Sequence, residues 1–454
     1  MGTPQPQRFP RVFWTANLTE LCERAAYYSM ASFVVIYLGQ LGLGDYWPSR
    51  LNGALWTLIY FLPILSGTIA DQIGFRRALL GAFVLLTAGY FLMGYPVWFG
   101  GAQLKPVIER ELTAGAWTLA PTLVAIVLIG VGGSLVKPSI LGTAQKVAGA
   151  RAALAFSIFY VVVNVGSLTG RGISYFVRTR TSLAMIYAVA MGCAVVAFFV
   201  VLLFYRDVEA APGGAPARPR RSVREIVVGM FRVLRSGRFV LFLTVISGFF
   251  FLYYQVYDVL PRYAKKVVET NPAMDIYTMA NPLTIVLFQL LVTKLFGKLK
   301  PVRSIIVGIV IISLSMALNL IPIHAAGGLR AATAVGIPLG SLFVVLTIAA
   351  AAFGELFTSA RMYEYVGALA PKGQEGLFLG YANLPLAIGS FTGGLVGPVI
   401  FNEVMASGAA RRADGLLDLD PGRNARGWLI LMTIGLLSAL SMWLFNRWLE
   451  KQKD

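Results

Sequence analysis

The feature that most constrains this chain is a series of twelve apolar runs, each long enough to cross a lipid bilayer as a helix. Crossing the hydrocarbon core takes about 20 apolar residues. Only 13% of the 454 residues are charged, against about 25% in soluble domains. The sequence therefore predicts an all-α integral membrane protein embedded in the lipid bilayer. The runs lie at 12–38, 51–72, 78–99, 117–143, 152–176, 182–205, 239–262, 278–298, 302–323, 331–359, 375–402 and 427–448.

A polar break at 206–238 separates the first six runs from the last six. It carries eight arginines, with Pro and Gly in its first half and a basic, amphipathic stretch in its second half. We interpret it as a solvated linker. The alternative for its second half is a short helix lying on an anionic leaflet. We predict an N-terminal six-helix bundle over 1–205 and a C-terminal six-helix bundle over 239–454.

The basic residues predict the orientation of the chain. A net charge of +18 would indicate nucleic-acid binding in a soluble protein, but in a membrane protein Lys and Arg concentrate in cytoplasmic loops. We therefore expect no nucleic-acid partner, a cytoplasmic linker at 206–238, and both termini in the cytoplasm of a multi-pass plasma-membrane protein. The face that this orientation puts outside the cell is called the predicted outer face. We assign Arg262, Lys265 and Lys266 to a loop on it.

Three charged residues interrupt the first apolar run. Glu20, Glu23 and Arg24 are three and four residues apart, so they share one face of a helix. A charge at this depth costs on the order of 2.5–3.5 kcal/mol on insertion scales, so it calls for a partner or a function. Two carboxylates that share one guanidinium form a plausible proton site, because pairing keeps one ionised while crowding and desolvation disfavour a second negative charge. A structural ion cluster is the alternative.

A lysine lies deep in the fourth run. Lys137 follows a Gly-rich segment that permits close helix approach, and Pro138 locally frees backbone groups. We predict that Glu355 of the tenth run pairs with Lys137 in a salt bridge between the two bundles, closing one side of a cavity. The alternative is a lysine whose long stem reaches towards the membrane surface.

Further polar residues lie in the fifth and seventh runs. Asn164 would hydrogen-bond either a ligand or a neighbouring helix, and Arg171 lies towards the outer end of its run. Tyr254 and Gln255 belong to a tyrosine-rich stretch that is also typical of an interfacial aromatic belt. The sequence holds no P-loop and no catalytic constellation. We therefore predict a protein that is not an enzyme, binds no metal or cofactor, and takes its energy from an ion gradient.

Four motifs and one further residue pair match a single family. They comprise Glu20, Glu23, Arg24, Tyr27 and Tyr28 (E-x-x-E-R-x-x-Y-Y); Lys137-Pro138; the segment 156–168 (F-x-x-F-Y-x-x-x-N-x-G-S-L); Gly354-Glu355 with LAPKGQEG after it; and Asn281-Pro282. On these residues, which lie in both halves, the chain resembles the proton-dependent oligopeptide transporter family, a branch of the major facilitator superfamily.

The resemblance implies a major facilitator fold of twelve transmembrane helices in two six-helix bundles. It implies symport of protons with di- or tripeptides by alternating access, and we expect a monomer in a bacterial inner membrane with no cofactor beyond the proton gradient. The implied proton-coupling residues are Glu20, Glu23, Arg24 and Lys137. The implied substrate-binding residues are Tyr28, Tyr60, Lys137, Asn164, Asn281 and Glu355, with Tyr27, Arg171, Tyr254 and Gln255 as weaker candidates.

Two positions depart from the family pattern. Ala31 stands where family members usually have Arg, and Tyr254 stands where they usually have an acid that pairs with this Arg across the outer gate. Losing both leaves no orphan charge, but it removes a cation expected to hold the peptide carboxylate, for which we consider Arg171 as the substitute. The departures keep open a transporter of another small solute or an exporter. A non-transporting membrane sensor, the alternative of another class, would not need five charges at membrane depth.

Overall fold

Twelve membrane spans account for almost all of the regular structure. The computed structural model describes residues 9–148, 151–207, 225, 228, 235, 237–369 and 381–451. Ten helices in the described residues are long and apolar enough to cross a membrane, and two further spans are each a bent pair of helices. The expectation of twelve transmembrane helices is thereby confirmed. The alternative helix in the second half of 206–238 falls almost wholly outside the described residues, and the division at this linker stays a prediction.

The spans are numbered α1 to α12 in chain order. The first six are α1 (Arg11–Met30 with Val34–Leu43), α2 (Trp47–Phe61 with Pro63–Ile73), α3 (Phe75–Trp98), α4 (Ala116–Ala148), α5 (Ala152–Arg180) and α6 (Met185–Phe204). The last six are α7 (Gly237–Gln255 with Val259–Val268), α8 (Met274–Phe296), α9 (Pro301–His324), α10 (Leu339–Leu369), α11 (Leu384–Met405) and α12 (Pro421–Glu450). A short hairpin of β1 (Ala410–Arg411) and β2 (Leu417–Asp418) precedes α12 on the predicted outer face.

Two of the spans bend within the membrane. The halves of α1 meet at 46° and those of α2 at 47°. In α2 the second half begins at Pro63, which has no backbone N–H to donate to the preceding turn and whose ring crowds it. In α1 the break follows Ala31, and a further kink at Gly42 uses a φ of +93°.

Small residues allow the central spans to approach closely. A Cβ on Gly170 of α5 would come within 2.2 Å of the carbonyl oxygen of Ala25 in α1. Between the two halves, Gly53 of α2 lies against Gly394 of α11, where an added Cβ would come within 2.8 Å of the Ser390 carbonyl oxygen. Close backbone approach through glycine is a common means of helix association in membranes. These contacts hold α1 and α5 together and join α2 to α11.

Several sequence-based boundaries were wrong, among them those of the tenth and seventh spans. The tenth span begins at Leu339 rather than near 331, because residues 331–338 turn back on themselves through an Ala332–Pro338 bridge and a positive φ of +77° at Gly336. The seventh span continues beyond 262 to Val268. Arg262, Lys265 and Lys266 are therefore not loop residues. All three lie in helical backbone, and Arg262 and Lys266 are 2% and 7% exposed.

Candidate functional site

The charged residues of α1 form a buried cluster. Glu20 is 0%, Glu23 2% and Arg24 4% exposed. The guanidinium of Arg24 contacts Glu23 directly and lies 3.4 Å from Glu20 Oε1. The contacts therefore confirm the prediction, made from their spacing, that all three side chains share one face of the helix.

The two carboxylates differ in how they are held. Glu23 accepts a hydrogen bond from Arg24 Nε and forms the ion pair with its terminal nitrogen. Both oxygens of Glu20 are buried and accept no hydrogen bond within the part of the chain that the structure describes. A buried carboxylate that lacks donors is poorly stabilised as an anion. Glu20 is therefore the member of the pair better suited to carry a proton, while Glu23 is suited to remain ionised.

Lys137 does not form the salt bridge predicted for it. Its ammonium lies 5.8 Å from the centre of the Tyr60 ring, and no described carboxylate lies within ion-pair distance of it. Its charge acts on Glu20, Glu23 and Glu355 without direct contact. Lys137 is half-buried, and none of these three carboxylates forms an ion pair with it. Its ammonium group is therefore available to an incoming anionic group.

Glu355 lies in the other half, on α10. Asn281 of α8 donates to Glu355 Oε2 at 3.4 Å, and Ser359 donates to Oε1 at 3.5 Å. Both bonds are long and neutral, so the carboxylate retains capacity for a stronger, charged donor. The structure thus brings together Asn281 and Glu355, two predicted substrate residues. The loop motif LAPKGQEG that follows α10 lies almost wholly outside the described residues.

Arg171 is a fully buried cation on α5. Its guanidinium donates to Ser167 on its own helix, to Thr278 Oγ1 at 2.9 Å and to the Tyr257 hydroxyl at 3.1 Å. It also lies over the Tyr28 ring, 4.4 Å from the ring centre. Within the described residues no carboxylate pairs with it. Arg171 is therefore enclosed between α5, α1, α7 and α8 rather than simply lying at the outer end of α5, and only neutral groups hold it.

The remaining predicted residues have other contacts. Asn164 donates to the Tyr160 carbonyl one turn earlier on α5. Tyr27 is buried, with its hydroxyl unpaired among the described residues, and its ring contacts Trp56. Trp56 also contacts Tyr60, Tyr254 and Tyr257. Sequence reasoning missed Trp56, because a tryptophan in an apolar run has no chemical signature distinct from core packing.

The charges of this central site are balanced in number. Three carboxylates, those of Glu20, Glu23 and Glu355, lie near three cations, those of Arg24, Lys137 and Arg171. The side chains of Tyr28, Tyr60, Lys137 and Glu355 are half-buried rather than sealed. Among the six charged residues, Lys137 and Glu355 keep this partial exposure, whereas Glu20, Glu23, Arg24 and Arg171 are buried.

The two halves are joined at the predicted outer face. Arg178 of α5 binds both carboxylate oxygens of Asp275 in α8 at 3.0 and 3.1 Å. Lys266 of α7 pairs with Asp45, which lies between α1 and α2. Nearer the surface, Arg110 lies 3.1 Å from Glu403 of α11. These ion pairs between the halves form the closure of the predicted outer face.

The two positions that depart from the family pattern lie within this closure. Ala31 is 1% exposed and Tyr254 1% exposed. The Tyr254 hydroxyl donates to the Ser49 carbonyl oxygen at 3.0 Å, so a neutral bond between the halves replaces the missing ion pair there. Gln255, beside it, donates to the Phe251 carbonyl within α7 at 3.0 Å. Sequence reasoning missed the ion pairs that substitute, because their partners are far apart in the chain.

Comparison with known proteins places the chain in a family. A family model described as Major Facilitator Superfamily matches residues 53–394. "Dipeptide and tripeptide permease B" of Shigella dysenteriae serotype 1 is 25% identical, covering 97% of this chain and 96% of that protein. The protein of the same name from Salmonella typhimurium is 25% identical over 85% of this chain and 86% of its own length. For that of Photorhabdus asymbiotica, 26% identity extends over 46% of this chain and 39% of that protein.

Solved structures show the same fold. A crystal structure of "peptide transporter POT in complex with sulfate" matches with a TM-score of 0.74 at 17% identity, covering 98% of this chain and 96% of that chain. A "POT family transporter in complex with 5-aminolevulinic acid" matches with a TM-score of 0.73 at 18% identity and covers 96% of each chain. These matches show the fold, and together with the permease relatives they confirm the resemblance to the oligopeptide transporters. Since the family model covers most of the spans, the chain belongs to the major facilitator superfamily.

Proposed function

We propose that this protein is a proton-coupled symporter of di- and tripeptides that works by alternating access. The observation that carries the proposal is the placement of opposite charges on the two halves of one partly open site. Glu355 on α10 offers a carboxylate to an amino terminus. Lys137 on α4 and Arg171 on α5 offer cations to a carboxyl terminus. A short peptide carries both termini, so it neutralises both sides and draws the halves together.

The proton site is the Glu20, Glu23 and Arg24 cluster. The charge of Lys137 acts on Glu20 and Glu23 of this cluster and also on Glu355. Lys137 therefore couples the proton site to Glu355 electrostatically. Protonation of one carboxylate in the cluster strengthens the net positive field around Lys137. Binding of a peptide carboxylate there is then favoured by the proton, and by linkage the peptide favours the proton in return. This reciprocity is what couples a proton gradient to accumulation.

The structure corresponds to a state that is closed at the predicted outer face. We infer from the positive-inside rule that this face is extracellular and that both termini are cytoplasmic. The half-buried site residues then face the cytoplasm, where a peptide would be released. We propose that the protein acts as a monomer in a bacterial inner membrane, without a cofactor or a catalytic step, and that the proton gradient supplies the energy.

The test is uptake of a labelled dipeptide into proteoliposomes under an imposed proton gradient. We expect accumulation above the external concentration that collapses when a protonophore is added. Unlabelled di- and tripeptides should compete, whereas longer peptides should not. Empty liposomes provide the background. Absence of peptide uptake, or uptake that is indifferent to the gradient, would refute the proposal.

Another small zwitterion is the second candidate cargo. The same separation of carboxylate and cations would suit any solute with an amine at one end and a carboxylate at the other. A competitor panel that adds free amino acids and longer amino-carboxylic acids distinguishes the two. Competition by those solutes at concentrations at which dipeptides have no effect would assign the cargo to them.

A further inference from the structure

A carboxylate outside the site described above lies buried between the two halves. Asp258 follows the first part of α7 and is 0% exposed. Its Oδ1 accepts a hydrogen bond from Ser49 of α2 and lies 3.6 Å from the Arg262 guanidinium. Its Oδ2 is buried and has no donor among the described residues. One oxygen of this carboxylate is therefore hydrogen-bonded, whereas the other has no hydrogen-bond donor among the described residues.

A second unsatisfied oxygen lies beside it. Gln255, one turn earlier on α7, is 0% exposed and donates its amide to the Phe251 carbonyl oxygen. This bond fixes the amide orientation and leaves Gln255 Oε1 without a donor in the part of the chain that the structure describes. Both oxygens converge on Gly397 of α11, where an added Cβ would lie 2.5 Å from Asp258 Oδ2 and 2.7 Å from Gln255 Oε1. Two acceptors that face one gap, with no hydrogen between them, are a costly arrangement.

The neighbouring cation is largely used elsewhere. Arg262 donates to the Asp45 carbonyl oxygen and to Ser49, so its contact with Asp258 is not a direct hydrogen bond. Further along α7, Lys265 donates to the Thr270 carbonyl oxygen and Lys266 pairs with the Asp45 carboxylate. On the other side, Tyr254 donates to a backbone carbonyl. Within the described residues, these are the titratable and charged groups whose contacts place them around Asp258 on α2, α7 and the α1–α2 connection, and α11 packs against Asp258 at Gly397.

We propose that Asp258 is a second proton-binding residue, protonated at Oδ2 and donating to Gln255 Oε1 while the predicted outer face is closed. One proton supplies the missing donor for both oxygens and removes the negative charge from a buried position. The proton forms an O–H bond at Oδ2, comes from the medium at the predicted outer face when that face closes, and returns there when it reopens. The closed state therefore binds one more proton at this position than the open state.

This inference concerns the closure and not the cargo, although its orientation rests on the proposed function. Because closure takes up a proton, acid at the predicted outer face favours the closed state. The effect requires no peptide, so it is measurable in the empty protein. Failure of peptide transport would leave this test unaffected, and failure of this test would leave peptide transport standing.

The experiment measures closure by the distance between two spin labels. Cysteines replace Trp117 at the start of α4 and Arg426 at the start of α12, both exposed at the predicted outer face. The background lacks Cys22 and Cys193 and carries Glu20→Gln with Glu23→Gln, which removes titration of the α1 cluster. In lipid nanodiscs without peptide, we expect the population with the short distance to grow as the pH falls. In Asp258→Asn we expect that population to stay, at every pH, at the level reached in acid, because Asn donates permanently to Gln255.

Two further variants separate protonation from simple loss of a buried contact. Asp275→Asn removes another buried carboxylate of the closure, one whose oxygens both accept from Arg178, and should weaken closure at every pH while keeping the pH dependence. Gln255→Leu removes the acceptor of the proposed proton and should weaken closure in acid only. The proposal is overturned if closure in the parent protein does not change with pH, as when a water molecule bridges the ionised Asp258 carboxylate and the Gln255 amide oxygen, or if Asp258→Asn keeps the parent's pH dependence.

Discussion

Glu20 and Glu23 occupy the same helical face but have different environments. Glu23 is bound by Arg24, whereas Glu20 has no donor among the described residues. We predict that Glu23→Gln abolishes gradient-driven peptide accumulation and retains counterflow exchange, because exchange needs peptide binding but no net proton movement. Glu20→Gln should have the same result, because Glu20 is the carboxylate better suited to carry the proton. The measurement is paired uptake and counterflow in proteoliposomes, and intact accumulation in Glu23→Gln would contradict a role in the proton site.

Arg171 is held by neutral groups alone, so it retains the capacity to bind an anion. We predict that Arg171→Ala weakens dipeptide binding at least about tenfold, equivalent to about 1.4 kcal/mol, through loss of a charged hydrogen bond. The parent protein should prefer a free dipeptide over its C-terminal amide, and Arg171→Ala should bind both equally poorly. Competition uptake measures this.

Arg180→Ala is the matched control for that experiment. Arg180 lies on the same helix but is exposed, so its removal should change neither affinity nor the preference for a free carboxylate. Dipeptide transport by Arg171→Ala at the parent's affinity would exclude Arg171 as the residue that holds the carboxylate.

The candidate site could be predicted from sequence to the extent that its residues are chemically conspicuous. Charges in apolar runs pointed to Glu20, Glu23 and Arg24, and the structure places them together. The Lys137–Glu355 ion pair was wrong because matching charges on two helices do not determine whether the helices have approached. Sequence reasoning has no access to the conformational state, and in this state Lys137 lies beside Tyr60 instead.

At the scale of the helices, glycines on α5 control how closely α1 can pack. We predict that Gly170→Ala destabilises the protein by about 1–3 kcal/mol, the usual cost of overpacking, because the new methyl group would collide with the backbone of Ala25. Thermal unfolding in detergent, with the midpoint compared between variants, measures the effect. A midpoint equal to that of the parent would show that α1 and α5 separate more easily than their packing indicates.

Gly172→Ala provides the control on the same helix. Its added Cβ would meet only Met279 Cε, at an ordinary contact distance of 3.8 Å. Alanine is also the better helix former. We therefore expect an unchanged or slightly raised midpoint for this variant.

The positions of the helices could be predicted more securely than their ends. Apolar length identified all twelve spans because the bilayer demands it. The ends were less certain where polar residues continue a helix, as at Arg262 and Lys266 in α7. The ends were also predicted wrongly where apolar residues form a loop, as at 331–338. Composition indicates whether a segment is apolar enough to lie in the bilayer, whereas the residue at which a helix ends depends on what its last turns contact.

At the scale of the whole molecule, the contacts between the halves decide which face is open. Ser32 of α1 and Thr278 of α8 lie across the closure with their hydroxyl oxygens 2.7 Å apart. We predict that a disulfide between Ser32→Cys and Thr278→Cys, in a background without Cys22 and Cys193, locks this face and abolishes uptake. Dithiothreitol should restore uptake to the level of the unoxidised double variant.

The single variants serve as controls, because neither can form the bond. Each should transport equally well before and after oxidation. Uptake that persists in the fully oxidised double variant would mean that the predicted outer face need not open during transport, which would contradict alternating access at this closure.

These contacts between the halves could not be predicted from sequence. Lys266 and Asp45 are separated by 221 residues, and Arg178 and Asp275 by 97. Many other pairings of acids and bases were compatible with the same twelve spans. The family pattern would predict an ion pair across the outer gate between positions 31 and 254. This chain has Ala31 and Tyr254 there, so the resemblance predicts no ion pair at this place.

The equal number of carboxylates and cations in the central site has a consequence for the energy source. A zwitterionic dipeptide adds no net charge, so each accompanying proton gives the loaded site one positive charge in excess. Moving one elementary charge through the membrane is worth about 2.3 kcal/mol per 100 mV. In the proposed symporter, the membrane voltage is negative on the cytoplasmic side. It therefore favours movement of the positively charged, loaded site towards the cytoplasm even where the pH of the two compartments is the same. Under the proposed function, transport is therefore electrogenic: the proton carries the electric current, and the neutral dipeptide moves with it.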